Sequence, residues 1–176
     1  MQRIAIIGNA GGGKSLLARD IGRALQLPVH ALDDVQWQAG WQSATSETVA
    51  AAHAKWLASP RWIIEGWGGP ESIAERLHAA DTIILVDFPR RVHVFWALKR
   101  QVLAVLGLTH HWPPDGCSAW GMTRRVLRLI RYVDRHLLPQ VRTLIDRESD
   151  TSHVIHLRSP RELRAFRRTL RTPPPP

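Results

Sequence analysis

Short apolar runs alternate along the chain with longer segments in which apolar residues recur every three or four positions. A short apolar run predicts a buried strand, and the wider spacing predicts a helix with one buried face. The runs predict five strands over residues 3–7, 29–32, 62–65, 82–87 and 153–157. The periodic segments predict helices over residues 16–26, 46–57, 71–79, 90–106 and 121–147, with a last helix after residue 159. This alternation favours a three-layer α/β fold in which helices cover both faces of a five-stranded parallel sheet.

The size of the chain suits one such unit. Its 176 residues are 44% apolar, which is enough for one buried core and too little for two. We expect a single domain over residues 1–171, followed by a proline-rich tail over residues 172–176. No apolar run approaches the roughly 20 residues that span a bilayer, and no signal-peptide pattern precedes the first strand. Cys117 is the only cysteine, so an internal disulfide is excluded. These features predict a soluble, cytoplasmic protein.

The segment between the first strand and the first helix carries the clearest chemistry. Residues 8–15 read Gly8-Asn9-Ala10-Gly11-Gly12-Gly13-Lys14-Ser15, which is the GxxxxGKS phosphate-binding pattern. Glycines let successive backbone N–H groups point at an anion, and the following helix presents its positive N-terminal end to the same phosphates. We predict that residues 8–16, ending at Leu16, bind a nucleoside triphosphate, with Lys14 on the β and γ phosphates and Ser15 on Mg²⁺. The predicted cofactors are therefore ATP and Mg²⁺.

Acidic residues stand where three predicted strands end. Asp33, Glu65 and Asp87 follow apolar residues of the second, third and fourth strands. The carboxyl ends of parallel strands meet at one edge of a sheet, so these side chains are expected near the phosphate loop. Glu65 is predicted to hold the metal through water, and Asp33 to position or deprotonate a phosphate acceptor. The alternative for each is a helix cap.

Several segments together resemble a known family. They are Asp33-Asp34-Val35-Gln36-Trp37-Gln38-Ala39-Gly40-Trp41, Trp62-Ile63-Ile64-Glu65-Gly66, Ala80-Asp81-Thr82-Ile83-Ile84-Leu85-Val86-Asp87-Phe88-Pro89-Arg90 and Asp115-Gly116-Cys117. The chain is similar to the adenylate-kinase-like P-loop proteins often labelled DNA topology modulation proteins. This resemblance implies a nucleoside-monophosphate-kinase fold with strand order 2-3-1-4-5. It also implies an acceptor-binding segment after the second strand and a helical lid over about residues 101–135.

The same resemblance assigns two residues after the fourth strand. Arg100 follows Asp87 by thirteen residues and matches an arginine that adenylate kinases use on nucleotide phosphates. Four residues earlier the family has an arginine that stacks on adenine, and this chain has Trp96. An indole can also stack on a purine, and a core position is the alternative. The chain further departs from the family at Glu65, in place of aspartate, at Trp67, in place of asparagine, and at Ala39, in place of proline.

A row of arginines lies in the predicted lid. Arg124, Arg128, Arg131 and Arg135 are spaced four, three and four residues apart, which places them on one face of a helix. Phosphoryl transfer depends on cations that neutralise charge on the transferred group, so Arg128 and Arg131 are predicted to act there with Arg100. An ordinary solvated helix face is the alternative.

The charge balance points to an anionic partner. Lys and Arg outnumber Asp and Glu by 24 to 15, giving a net charge of +9. This surplus fits nucleic acid or the phosphates of nucleotide substrates. Eight tryptophans would suit stacking on single strands, but none lies within the arginine row, so packing or acceptor-pocket roles are favoured.

The interpretation that joins these features is an ATP-dependent kinase of the nucleoside monophosphate kinase type with a small-molecule acceptor. The alternatives are a nucleotide-dependent DNA-binding regulatory protein and a P-loop ATPase without an acceptor. His110, His111, Asp115 and Cys117 lie close together in the lid segment, but they include a single thiol, so we expect a polar loop rather than a zinc site. The acceptor and the oligomeric state are left open.

Overall fold

The computed structural model describes residues 1–108 and 119–170. The proline-rich tail and the Asp115-Gly116-Cys117 motif therefore lie outside the described residues. The residues considered for zinc, His110, His111, Asp115 and Cys117, lie outside them as well. In chain order the elements are β1 (Arg3–Gly8), α1 (Lys14–Leu25), β2 (Val29–Ala31), α2 (Leu32–Gln36), β3 (Trp37–Gln38), a 3₁₀ turn (Ala39–Trp41), β4 (Gln42–Ser43), α3 (Ser46–Leu57), β5 (Trp62–Glu65), α4 (Pro70–Ala79), β6 (Thr82–Val86), α5 (Arg90–Val105), α6 (Ala119–Tyr132), a π-helical turn (Val133–Leu137), α7 (Leu138–Glu148), β7 (His153–Leu157) and α8 (Pro160–Thr169).

Five of the strands form one parallel sheet in the order β2-β5-β1-β6-β7. Counted among these five alone, the order is 2-3-1-4-5, so the predicted fold class and strand order are confirmed. Strand β1 lies at the centre, where Gly8 pairs with Val86 and Ile6 pairs with Glu65. The phosphate loop therefore leaves the middle of the sheet, at the edge where the neighbouring strands also end.

Alternating side chains of the central strands build two cores. Ile4 and Ile6 pack on one face with apolar residues of α1 and α8, and Ala5 and Ile7 pack on the other with residues of α4 and α7. Because successive side chains of a strand point to opposite faces, an uninterrupted apolar run is what a strand covered on both sides requires.

Two local features near the second strand differ from the sequence prediction. Strand β2 stops at Ala31, and Asp33 lies in the first turn of the short helix α2 rather than at the end of a strand. Leu32 is fully buried and anchors that turn, and acidic side chains are favourable at a helix N-terminus. The antiparallel pair β3 and β4, in which Trp37 pairs with Ser43, follows directly and was not predicted.

The predicted helix over residues 121–147 is interrupted by the π-helical turn. Pro139 in the first turn of α7 has no N–H to donate to a preceding carbonyl, and wider turns commonly accommodate such a break. The turn lies between Arg131 and the end of the predicted helix and includes Arg135. Arg124, Arg128, Arg131 and Arg135 are all exposed.

Among the helices formed by residues 1–108 and 119–170, none combines the length and apolar character that crossing a bilayer requires.

Candidate functional site

The phosphate loop fits its surroundings so closely that side chains are excluded at two positions. A Cβ added to Gly8, whose φ is +151°, would lie 2.2 Å from the carbonyl oxygen of Val86. A Cβ added to Gly11, whose φ is +72°, would lie 2.6 Å from the carbonyl oxygen of His93. The loop ends at Gly13, the N-cap of α1, where no side chain caps the first amides of the helix. Uncapped amides at a helix N-terminus suit an anion.

Lys14 and Ser15 lead from this loop to the end of β5. Lys14 Nζ donates to the carbonyl of Asn9 at 3.0 Å, and burial lowers the Lys14 pKa, against the opposing charges of Glu65 and Asp33. Ser15 Oγ donates to Glu65 Oε1 at 2.6 Å. Glu65 is only 2% exposed, and burial raises its pKa despite the Lys14 charge and the Ser15 hydrogen bond. A hydroxyl beside a carboxylate is the kind of oxygen donor set that Mg²⁺ uses, so these residues fit the predicted ion.

Asp33 and Arg100 belong to the same electrostatic neighbourhood. The charge of Asp33 raises the pKa of both Lys14 and Arg100, although burial is the larger influence and leaves both pKa values lowered. The Asp33 side chain is exposed, and Arg100 is partly buried in α5. The structure therefore brings an accessible carboxylate and a second cation close to the loop lysine.

The arginines of the predicted lid form no ion pair with Asp33 or Glu65 among the described residues. Arg124, Arg128, Arg131 and Arg135 are all exposed, and within the described part of the chain no carboxylate lies in ion-pair range of them. Helix α6 instead reaches the loop through its backbone, because Asn9 Nδ2 donates to the carbonyl of Ile130 at 2.8 Å.

Trp96 lies at the end of the loop, where it packs against the core on one side and borders a groove on the other. Its ring packs edge-on against Phe88 in the core at 5.6 Å between centroids, and a Cβ added to Gly13 would lie 3.4 Å from it. It also borders an open groove between α5 and the start of α8. The groove is lined by Arg91, Val92, Phe95, Trp96, Pro160 and Arg164.

The predicted acceptor segment also packs near the loop. Trp37 and Trp41 contact a small apolar cluster that includes Ala97, Ile130 and the loop residue Ala10. The two indoles meet edge-on at 5.9 Å, and the guanidinium carbon of Arg125 lies 5.0 Å from the Trp37 ring centre. Helix α6 therefore contacts both the phosphate loop and the segment that follows β2.

Sequence reasoning missed His93. This fully buried residue of α5 donates from Nδ1 to the carbonyl of Ala10 at 3.1 Å. Burial and the nearby Lys14 charge lower its pKa to about 4. Its spacing of four residues from the buried Ala97 places it on the inner face of the helix, but a histidine at such a position gives no local sign of what it contacts.

Arg76 was missed as well. It is fully buried between Ile73 and Leu77 on the inner face of α4, and its Nη2 donates to the carbonyls of Gly66 and Trp67 at 2.9 and 3.2 Å. Burial lowers its pKa to about 10, against the charge of Glu65. An arginine on an apolar helix face is the available sequence signal. The structure makes it a support for the loop that follows Glu65.

The sheet order and the loop at its centre define the class of fold. A parallel sheet in the order 2-3-1-4-5, with the GxxxxGKS loop after the central strand, is a P-loop fold of the kind found in small-molecule kinases. Ligands of such sheets bind beyond the carboxyl ends of the strands, which is where Lys14, Ser15, Glu65 and Asp33 lie.

Comparison with known proteins supports this class at the level of fold. No family model matches the chain, and no curated protein matches it. A shikimate kinase from Acinetobacter baumannii, solved in complex with shikimate, matches 97% of this chain and 90% of its own at 12% identity and a TM-score of 0.61. A shikimate kinase from Bacteroides thetaiotaomicron matches 97% and 96% at 13% identity and a TM-score of 0.54. The chain shares the P-loop kinase fold of these enzymes.

Proposed function

We propose that this protein is an ATP-dependent kinase that transfers the γ-phosphate of MgATP to a small acceptor. The observation that carries the proposal is the 2.6 Å contact between Ser15 and Glu65 beside the partly buried Lys14. A metal-ligating hydroxyl, an acid at the end of the next strand and a lysine at the head of the loop are the parts that P-loop phosphotransfer uses.

The donor would lie along the loop. Backbone amides of residues 8–16 bind the phosphates, and the base enters the groove beside Trp96. Ser15 would hold Mg²⁺ directly and Glu65 through water, and the ion would supply neutralising charge on the β and γ phosphates. Arg76, by holding the Gly66 and Trp67 carbonyls, keeps the loop after Glu65 in place.

The acceptor would lie on the other side of Lys14. Asp33 would position the acceptor. Where the attacking atom is a hydroxyl oxygen, Asp33 accepts its proton as the new bond to the γ-phosphorus forms and the bond to the β–γ bridging oxygen breaks, whereas the phosphate oxygen of a monophosphate attacks with no proton to lose. Arg100 would neutralise charge on the transferred group, and Arg128 and Arg131, which are exposed on α6, would act with it. The resemblance noted above favours a nucleoside monophosphate as the acceptor, and the shikimate in one structural neighbour adds hydroxy acids to the classes worth testing.

The test is an ADP-release screen over nucleoside monophosphates, nucleosides, sugars and hydroxy acids, including shikimate. We expect at least one class to stimulate release, and Lys14→Met to abolish the stimulated rate. Lys55→Met, at an exposed position of α3, is the matched control. Release that no acceptor stimulates but that still needs Lys14 would favour an ATPase. If wild type and Lys14→Met behaved alike throughout, the kinase proposal would be wrong.

A second candidate function is nucleotide-dependent DNA binding. It is favoured by the exposed arginines of α6, for which the described residues offer no carboxylate in ion-pair range. Binding through these side chains would weaken steeply as salt rises, and replacing Arg124, Arg128 and Arg131 together by glutamine would flatten that dependence. If the protein is only a small-molecule kinase, we expect no DNA binding that depends on these three arginines.

A further inference from the structure

The peptide that joins Ala10 to Gly11 can turn either its N–H or its C=O toward the centre of the phosphate loop. An anion needs the N–H groups inward, and an inward carbonyl would repel it. Gly11 has a φ of +72°, and glycine adopts positive and negative φ about equally well. The glycines that make the loop possible therefore also leave this peptide free to flip.

The His93 side chain contacts the carbonyl oxygen of this peptide. Its Nδ1 lies 3.1 Å from the oxygen of Ala10. A carbonyl can only accept, so Nδ1 carries the proton. The ring is fully buried and stacks on Phe88 at 5.4 Å between centroids, which leaves it little freedom to turn away.

The backbone of α5 closes on the loop from the same side. The carbonyl oxygen of His93 would lie 2.6 Å from a Cβ at Gly11, and the ring carbon Cε1 of His93 would lie 3.1 Å from a Cβ at Gly12. Three consecutive loop residues, Ala10, Gly11 and Gly12, therefore lie against His93.

We propose that His93 is a positioning residue that holds the Ala10 carbonyl away from the anion, so that the loop is formed before phosphate arrives. The inference rests on the proposed function in one respect, because it takes that anion to be the phosphates of a nucleotide. Without the His93 donor the Ala10 carbonyl would be partly buried and unpaired, and turning inward would give it Lys14 or the helix amides as new partners.

The experiment compares three replacements by isothermal titration with MgADP and with inorganic tripolyphosphate, which reports on the loop without a base. In His93→Asn the side-chain amide nitrogen is as many bonds from Cα as Nδ1, so it can still reach Ala10. In His93→Gln the amide lies one bond further out, and His93→Leu has no donor. We expect His93→Asn to bind both ligands within about threefold of wild type, and the other two to bind at least about tenfold more weakly, as loss of a donor to a partly buried carbonyl implies.

Ser152→Ala controls for a general loss of stability. The Ser152 hydroxyl donates to the buried carbonyl of Ala80 at 2.8 Å, near the opposite edge of the sheet, so its removal deletes the same type of bond far from the loop. We expect its melting temperature to fall and its affinities to stay at the wild-type values.

The comparison of His93→Asn with His93→Gln decides the outcome even if His93→Leu does not fold. Equal affinities for His93→Asn and His93→Gln, or wild-type affinity in both, would overturn the positioning role while leaving the proposed kinase intact. A wild-type protein that binds neither ligand would overturn the proposed function and this inference together.

Discussion

Asn9 in the phosphate loop donates from Nδ2 to the backbone carbonyl of Ile130 in helix α6, across 121 positions of sequence, at 2.8 Å. Both residues are fully buried. The Oδ1 of the same side chain accepts from the amide of Ala10 at 2.8 Å, and the Asn9 carbonyl accepts from Lys14. One residue therefore joins the loop, its lysine and the helix that carries the exposed arginines.

Replacing Asn9 by alanine should release α6 from the loop. The Ile130 carbonyl would stay buried without this donor, so we expect the free energy of unfolding to fall by about 1–3 kcal/mol in urea titrations. Amide hydrogen exchange should quicken in α6 more than in α4. Asn9→Asp keeps an acceptor for Ala10 but lacks the donor, and should lose at least as much. Unchanged exchange in α6 would contradict a structural link through Asn9.

Replacing Glu65 by glutamine should change how the free energy of unfolding depends on pH. Burial raises the Glu65 pKa, so between pH 4.5 and that raised value the folded protein binds more protons than the unfolded chain, and wild-type stability falls as pH rises. Glu65→Gln keeps an acceptor for Ser15 without the charge. It should be at least as stable as wild type at pH 8 and lose that advantage near pH 4.

The same variant should need more Mg²⁺ for half-maximal nucleotide binding, because it lacks the carboxylate that we propose to order a water of the ion. Titration of ADP affinity against Mg²⁺ measures this. Glu71→Gln, at an exposed position of α4, should leave the requirement unchanged. An identical Mg²⁺ requirement in Glu65→Gln and wild type would remove Glu65 from the metal site.

The neutral His93 should make the protein sensitive to mild acid. Burial lowers its pKa from 6.5 to about 4, so across that window the unfolded chain binds more protons and stability falls as the pH falls. Lys14 lowers this pKa, and Asp87, Asp134 and the Ala10 carbonyl raise it. Between pH 7 and pH 4.5, wild type should lose about 2–3 kcal/mol more than His93→Asn. Parallel stability curves for the two proteins would show that His93 does not titrate in this way.

Trp96 should report nucleotide binding. If the base stacks in the groove between α5 and α8, adding ADP should change the tryptophan fluorescence, and Trp96→Phe should lose most of that signal. Trp56→Phe, on the face of α3 that stacks against His30, is the matched control and should keep it. Equal signals from Trp96→Phe and wild type would assign Trp96 to the core alone.

Local sequence patterns predict part of this structure. Helix α3 spans Ser46–Leu57 and strand β5 spans Trp62–Glu65, both as the periodicity predicts. Glycine spacing places the phosphate loop, and the two-sided apolar strands require a covered parallel sheet. These features depend on residues within a few positions of one another, so a pattern can reveal them.

Other parts depend on contacts between distant segments. Leu32 enters the core and starts a helix, which moves Asp33 from a strand end to a helix turn. The inner faces of α4 and α5 carry Arg76 and His93, whose partners are backbone carbonyls that no side-chain pattern records.

Local residue patterns predict that the GxxxxGKS loop follows the first strand of a parallel sheet and that an acid, Glu65, ends a later strand. What supports the loop emerges only in the folded chain, where His93 donates to the Ala10 carbonyl and Asn9 donates to the Ile130 carbonyl. Local patterns miss these contacts because glycine-rich backbone has little conformational preference of its own. Its shape is therefore set by hydrogen bonds from elements that lie far away in sequence and meet the loop only after folding.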